Sequence, residues 1–319
     1  MSFNILQAAT FPVGLRNKID SSINIIGPFG LPVGATLSAE EAATVRVLIT
    51  MGSLTTDAAA MDRLPNLGLI CCYGTGYEGV DLDEARKRAI MVTHSPSANA
   101  SSVADLAMAL LLAVSRRIVI ADKFVREGAW KGGSAARMPL IRGLTGRKIG
   151  VFGLGAIGRK IANRVAAFEM EVAYYNRSRK LDVPYPYHES LHSLADWADV
   201  LMIAVRADGT NQHVVDRGIL QALGQEGIVI NIARGSVIDE PVLIELLESG
   251  QLGGAGLDVY ERQPAVPDSL KALANVVLTP HIGGGTIDAH EAMQKLIVMN
   301  IMGYLVGQPL KTPVPELRS

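Results

Sequence analysis

Lys148-Ile-Gly-Val-Phe-Gly153-Leu-Gly155-Ala-Ile-Gly158 carries the densest signal in the chain. A β-branched run passes straight into Gly-x-Gly-x-x-Gly. Ile157, Ile161 and Val165 then recur at helical spacing, and a second apolar run ends near Tyr175. Strand, turn, helix and strand together make the unit of about 30 residues that binds dinucleotides. Gly153 permits the tight turn, Gly155 lets the backbone approach a pyrophosphate, and Gly158 lets helix and strand pack closely. N–H groups at the helix start carry partial positive charge and suit an anion. Gly153, Leu154, Gly155, Ala156, Ile157 and Gly158 are therefore the candidate coenzyme cradle. A purely structural glycine turn is the competing reading.

The end of the second strand selects the nucleotide. A site for NAD places Asp or Glu there to bind the ribose 2′-hydroxyl. This chain has Asn176-Arg177-Ser178-Arg179-Lys180, with no carboxylate. Two guanidiniums and a hydroxyl can hold a 2′-phosphate through charge-assisted hydrogen bonds. The expectation is NADP(H), with NAD(H) as the alternative, against a merely solvated basic turn.

Short β-branched runs alternate with helical patterns along the rest of the chain, the signature of parallel sheets covered by helices. Strands are expected at Asn4–Gln7, Arg46–Thr50, Leu69–Tyr73 and Ile90–Thr93, separated by helical segments such as Glu40–Ala43, Thr56–Asp62 and Asp83–Lys87. A long helix from Ser101 to Arg117 follows, with Ser101 or Ser102 as its N-cap. Ala129–Gly146 reads as a loop. The second series runs Lys148–Phe152, Val172–Tyr175, Val200–Val205, Ile228–Ile232, Gly256–Val259 and Val276–Leu278, before a final helix at Ile287–Leu305.

At about 150 residues per domain, 319 residues imply roughly two domains. A net charge of −1 argues against nucleic acid or a membrane surface held by a basic patch. Cys71 and Cys72 are adjacent, too close for an ordinary disulfide and unlike metal-ligand spacing, and fit a reducing cytosol. No secretory signal is visible near the start. The most apolar stretch, Leu106 to Val114, is about half a membrane span. The expectation is a cytoplasmic α/β protein with a small-molecule ligand and no metal.

Three further segments each follow an expected strand. They are Asn231-Ile-Ala-Arg234-Gly235, Gly256-Leu-Asp258-Val-Tyr-Glu-Arg-Gln263-Pro264 and Thr279-Pro280-His281-Ile-Gly283-Gly284. Ligands of open α/β sheets bind at the carboxyl ends of strands, so these residues should gather near the nucleotide. With the glycine fingerprint, Tyr73-Gly74-Thr75-Gly76-Tyr77-Glu78-Gly79-Val80-Asp81 and Val103-Ala104-Asp105-Leu106-Ala107, the chain resembles the D-isomer-specific 2-hydroxyacid dehydrogenase family. Within it, the glyoxylate/hydroxypyruvate and hydroxyphenylpyruvate reductases are the most similar group. The resemblance covers nearly the whole chain. It implies two doubly wound parallel-sheet domains: a flavodoxin-like substrate domain, 1–100 plus 286–319, and a Rossmann domain, 101–285, inserted in it. It also implies a homodimer joined through the long helix and the loop after it. Coenzyme contacts would extend to Val205, Thr210, Ile232, Ala233, Asp258, Gly283 and Gly284, with Asp258 near the nicotinamide ring.

The resemblance assigns Arg234 to the substrate carboxylate and carbonyl, and a planar guanidinium fork suits a 2-oxo acid. It assigns the N–H groups of Thr75 and Gly76 to the same carboxylate, with Gly52 in the wall of the substrate pocket, and His281 to acid/base work, for which an imidazole titrates in the right range. His94, His188, His192, His213 and His290 read as structural. One position departs from the family pattern. Most members carry a glutamate, paired with the catalytic histidine, where this chain has Gln263, with Glu261 two residues earlier. A glutamine orients the imidazole without adding negative charge, which should lower the histidine pKa. The leading reading is NADPH-dependent reduction of glyoxylate, hydroxypyruvate or a similar 2-oxo acid to the D-2-hydroxy acid, with domain closure excluding water. Because formate dehydrogenases also place glutamine here, a formate- or phosphite-type dehydrogenase is one alternative. An NAD(P)H-sensing, corepressor-like binding protein is the other.

Overall fold

The computed structural model describes residues 4–11, 14–19, 23–28, 32–132 and 138–317. The chain forms two compact units, Met1–Asn99 with Gly284–Ser319, and Ala100–Gly283.

In the first unit β1 (Asn4–Gln7), β2 (Asn24–Ile26), β3 (Val45–Met51), β4 (Leu69–Tyr73) and β5 (Met91–Thr93) form one sheet. Its order is β2-β1-β3-β4-β5, and every pair is parallel. Alternate residues of β4 serve opposite faces. Leu69, Cys71 and Tyr73 pack with Ala289, Met293, Ile297 and Ile301 of the C-terminal helix Ile287–Leu305, while Ile70 and Cys72 join the opposite core. Each fully buried apolar side chain of this kind contributes about 1.5–3 kcal/mol, so a parallel strand needs cover on both faces. The C-terminal helix returns to this unit to supply it. Both cysteines are free and buried, and burial pushes the Cys71 thiol up to about 12.

The second unit holds β6 (Lys148–Phe152), β7 (Glu171–Tyr175), β8 (Val200–Ile203), β9 (Ile228–Asn231), β10 (Gly254–Leu257) and β11 (Val276–Leu278). The order is β11-β10-β9-β8-β6-β7, again all parallel. A single parallel bridge, Tyr174 to Tyr187, stands where a third outer strand would lie. This is the dinucleotide-binding strand order with that strand reduced to one bridge, and the order reverses between β6 and β8. Leu201, Ile203 and Val229 face one core, and Val200, Met202, Ile228 and Ile230 the other. The helix Ala100–Ser115 covers the second face with Ala104, Ala107 and Leu111.

Both doubly wound sheets expected from the sequence are present. Five local expectations need correction. β2 was not anticipated; it is a three-residue edge strand, too short to stand out as a run. The long helix starts at Ala100, so Ser101 and Ser102 lie in its first turn and neither caps it. It stops at Ser115 because Arg117 turns left-handed, φ 50°, and a separate helix, Ile118–Arg126, follows. β8 ends at Ile203, short of Val205, whereas β10 begins and ends two residues early. Of the expected Ala129–Gly146 loop, 133–137 lie outside the described residues, and the rest has neither helix nor strand. Among the described residues no helix is long and apolar enough to cross a membrane.

Candidate active site

At the reversal point the glycine turn after β6 meets the loop after β8. Gly153 has φ 100°, and a Cβ on it would lie 2.6 Å from the Val205 Cα. A Cβ on Gly158 would lie 2.0 Å from the Gly153 carbonyl oxygen. These two glycines are required by packing. Gly155 is different, because a Cβ there would meet nothing within 4 Å. Gly155 caps the helix Ala156–Ala167 without any side-chain hydrogen bond, whereas Ser190, Asp216 and Asp239 cap their helices with side-chain oxygens. Ala156 and Ile157 open that helix, so their N–H groups lie in its first turn, with no side-chain cap and with open space beside Gly155. This is the cradle a pyrophosphate fits. The Leu154 N–H donates to Asn176 Oδ1 at 2.7 Å, so Asn176 braces the turn from the end of β7.

Arg177, Ser178 and Arg179 follow β7 and are exposed. The sequence offers no carboxylate between 176 and 180, but the fold brings one in. Asp208, from the loop after β8, places Oδ2 3.2 Å from an Arg177 guanidinium nitrogen. Its Oδ1 accepts from the Thr210 N–H at 3.0 Å and hydroxyl at 2.5 Å. The Thr210 hydrogen bond holds the Asp208 carboxyl below the usual carboxylate range.

β9, β10 and β11 lie side by side, in register at Asn231, Leu257 and Leu278. Arg234, Gln263 and His281 thus leave neighbouring carboxyl ends of one sheet. Buried Asn231 shapes the first loop: it accepts from the Ala233 N–H at 3.0 Å and donates to the Arg234 carbonyl at 3.0 Å. Ile232 and Ala233 are buried beneath it. Gly235 lies so close to the next loop that a Cβ would fall 1.9 Å from the Tyr260 carbonyl carbon.

Asp258 is 1% exposed. Its carboxylate accepts from the Thr279 hydroxyl at 2.6 Å, the Ile282 N–H at 2.8 Å and the Gly283 N–H at 2.9 Å. All three donors belong to the turn carrying His281, which sits at φ 55°. Asp258, expected beside the nicotinamide ring, is in this structure the brace of that turn. Gln263 Nε2 lies 2.9 Å from His281 Nδ1. A neutral imidazole accepts there from the amide; an imidazolium donates, and a half-turn of the amide presents Oε1 instead. Glu261 does not take this place. It pairs with His213 at 2.9 Å, while its N–H donates to buried Glu240 at 3.1 Å. A cavity of about 440 Å³ borders the pair, lined in part by Tyr260, Pro264, Leu278 and Pro280.

The remaining candidates lie in the first unit. Gly74, φ 111°, opens the loop after β4. Its carbonyl accepts from the Ser95 N–H at 2.7 Å, the Thr75 carbonyl meets His94 Nδ1 at 2.9 Å, and the Thr75 hydroxyl donates to Asn99 at 3.0 Å. The N–H groups of Thr75 and Gly76 donate to no carbonyl among the described residues. Gly52 admits no side chain, since a Cβ would lie 1.7 Å from the Gly76 oxygen. Gly283 belongs to the second unit beside Asp258, whereas Gly284 belongs to the first beside Asn99. Asn99 and Asp208 escaped the sequence reading, because each acts on a loop to which no local pattern connects it.

The D-isomer specific 2-hydroxyacid dehydrogenase NAD binding domain matches residues 108–283. A hydroxyphenylpyruvate reductase of Plectranthus scutellarioides is 37% identical over 313 residues, 98% of this chain and 99% of its own. A glyoxylate/hydroxypyruvate reductase A of Arabidopsis thaliana is equally similar, 37% identical with the same coverage. The crystal structure of an NADPH-dependent glyoxylate/hydroxypyruvate reductase from Sinorhizobium meliloti, in complex with NADP and malonate, superposes with a TM-score of 0.91. It shares 32% identity and covers 99% of this chain and 98% of its own. With its glycine turn, its Arg234 loop and its Gln263–His281 pair on one sheet edge, the chain belongs to the D-isomer-specific 2-hydroxyacid dehydrogenase family and is an oxidoreductase.

Proposed function

We propose that the protein reduces a small 2-oxo acid, glyoxylate, hydroxypyruvate or similar, to the D-2-hydroxy acid, with NADP(H) preferred over NAD(H). The observation that carries this reading is the His281–Gln263 contact beside the Arg234 loop on adjoining strand ends. A bound nicotinamide coenzyme supplies the hydride. Arg234 holds the 2-oxo acid with its guanidinium fork and polarises the carbonyl, and His281, as imidazolium, gives its proton to the carbonyl oxygen. Gln263 and the Asp258-braced turn fix the ring. The N–H groups of Thr75 and Gly76, without a carbonyl partner among the described residues, serve the substrate carboxylate, and Gly52 stays a residue of the pocket wall. The unit 100–283 serves the nucleotide and also carries Arg234 and His281. Relatives named as reductases lend no support to the corepressor-like or the formate- and phosphite-type reading.

The helix Ile118–Arg126 has no buried residue, and Ile118, Val119 and Val125 are each at least half exposed. We assign this face to a homodimer. Free, buried Cys71 and Cys72 support a cytoplasmic setting.

Initial rates with NADPH and NADH against glyoxylate, hydroxypyruvate, phenylpyruvate and 2-ketogluconate test the reaction. NADPH should be consumed with at least one 2-oxo acid; negligible turnover with all four contradicts the proposal. Sedimentation velocity should give twice the monomer mass, and a monomer at micromolar concentration refutes the dimer. Gln263→Glu places a negative charge beside His281, favours the imidazolium and raises its pKa. Reduction requires that cation, so the alkaline limb of the reductive pH profile should move upward by about one unit. Overlapping profiles would remove Gln263 from this role.

A further inference from the structure

We propose that Asp208 sets how strongly the coenzyme site favours a 2′-phosphate, by neutralising part of the charge of Arg177. The inference rests on the NADP(H) reading and deepens it. The two oxygens of Asp208 do separate work. Oδ1 closes the loop by accepting both the N–H and the hydroxyl of Thr210, while Oδ2 is the oxygen that meets Arg177. Loop closure needs an acceptor at Oδ1 and no charge. The carboxylate is ionised at neutral pH, as an ordinary one is, and Thr210, with Arg177 and Arg206 adding to it, favours the charged form further.

The pair is unequal. The Asp208 side chain is 26% exposed and fixed by the Thr210 turn, and its backbone N–H donates to Asn211 at 2.9 Å. Arg177 is 77% exposed. An ion pair so exposed is held weakly, so Arg177 remains able to turn to a phosphate. A phosphate there would share Arg177 with a carboxylate that also repels it. Arg179, exposed and without an ion pair among the described residues, has no such counter-charge. Asp208 therefore works as a fixed counter-ion that lowers 2′-phosphate selectivity without abolishing it, leaving NAD(H) usable.

The test is calorimetric titration of adenosine 2′,5′-bisphosphate and of adenosine 5′-monophosphate at low salt. Asp208→Asn keeps the Oδ1 acceptor and removes the charge. It should tighten bisphosphate binding about five- to tenfold, the effect of one unit charge a few ångströms away in a partly exposed site. Binding of the monophosphate should stay within twofold. Asp208→Ser, which brings no amide donor, should move the same way, and most of the gain should be lost on an Arg177→Ala background, where only direct repulsion is relieved. An unchanged bisphosphate affinity, an equal gain for both nucleotides, or a gain undiminished by Arg177→Ala would overturn the proposal. Arg177→Ala alone separates this inference from the reading beneath it. If that variant weakens bisphosphate binding while Asp208→Asn does nothing, only the role of Asp208 falls. If it leaves bisphosphate binding unchanged, the NADP(H) reading of Arg177 fails first, and the role of Asp208 fails with it.

Discussion

A buried carboxylate holds the catalytic end of this protein together. Asp258, almost wholly excluded from water, is satisfied by one hydroxyl and two backbone N–H groups, all from the turn after β11. An ionised carboxylate without such donors would be too costly to bury. The dependence runs both ways. A non-glycine residue in the left-handed region costs on the order of 1–3 kcal/mol, and His281 sits there. Hydrogen bonds to a charged group are worth about 1.5–3 kcal/mol each. Three of them outweigh the strain, so the turn that presents the imidazole is fixed before any ligand arrives.

The contact to Gln263 completes this arrangement in a different currency. An amide follows the imidazole through both protonation states by exchanging donor for acceptor, so the ring stays oriented whichever state it is in. It lends no charge to the cation. The family pairs this histidine with a carboxylate, and the chain retains one nearby in Glu261. That carboxylate is already engaged by His213, and the loop's N–H is engaged by Glu240. Glu261 ties the loop that carries Gln263 to the loop after β8, and the Gly235 backbone packs against the same segment. Arg234, Gln263 and His281 therefore stand on loops that brace one another.

Much of this is legible in the amino-acid sequence. The glycine turn could be read because its residues are contiguous and each answers a local steric demand. The strands could be read because parallel strands covered on both faces leave unbroken apolar runs, as Leu69–Tyr73 and Val200–Ile203 do. What stayed hidden depends on distance along the chain. Asp208 lies 31 residues from Arg177, and Glu261 lies 48 from His213. No window over the sequence shows that the loops carrying them meet. The helix break at Arg117 was hidden for another reason: an arginine turned left-handed leaves none of the glycine or proline signals that mark a helix end. The bracing contacts of Asp258 stayed hidden because its motif identifies the position but not its hydrogen-bond partners.

The central claim is that His281, held by this turn, gives the proton. Single-turnover reduction by His281→Asn, measured beside the Kd for NADPH, tests it most directly. The account predicts a loss of about 10²–10⁴-fold in the reductive rate, with coenzyme affinity unchanged. A variant that reduces the same 2-oxo acid within a few-fold of the native rate would contradict it.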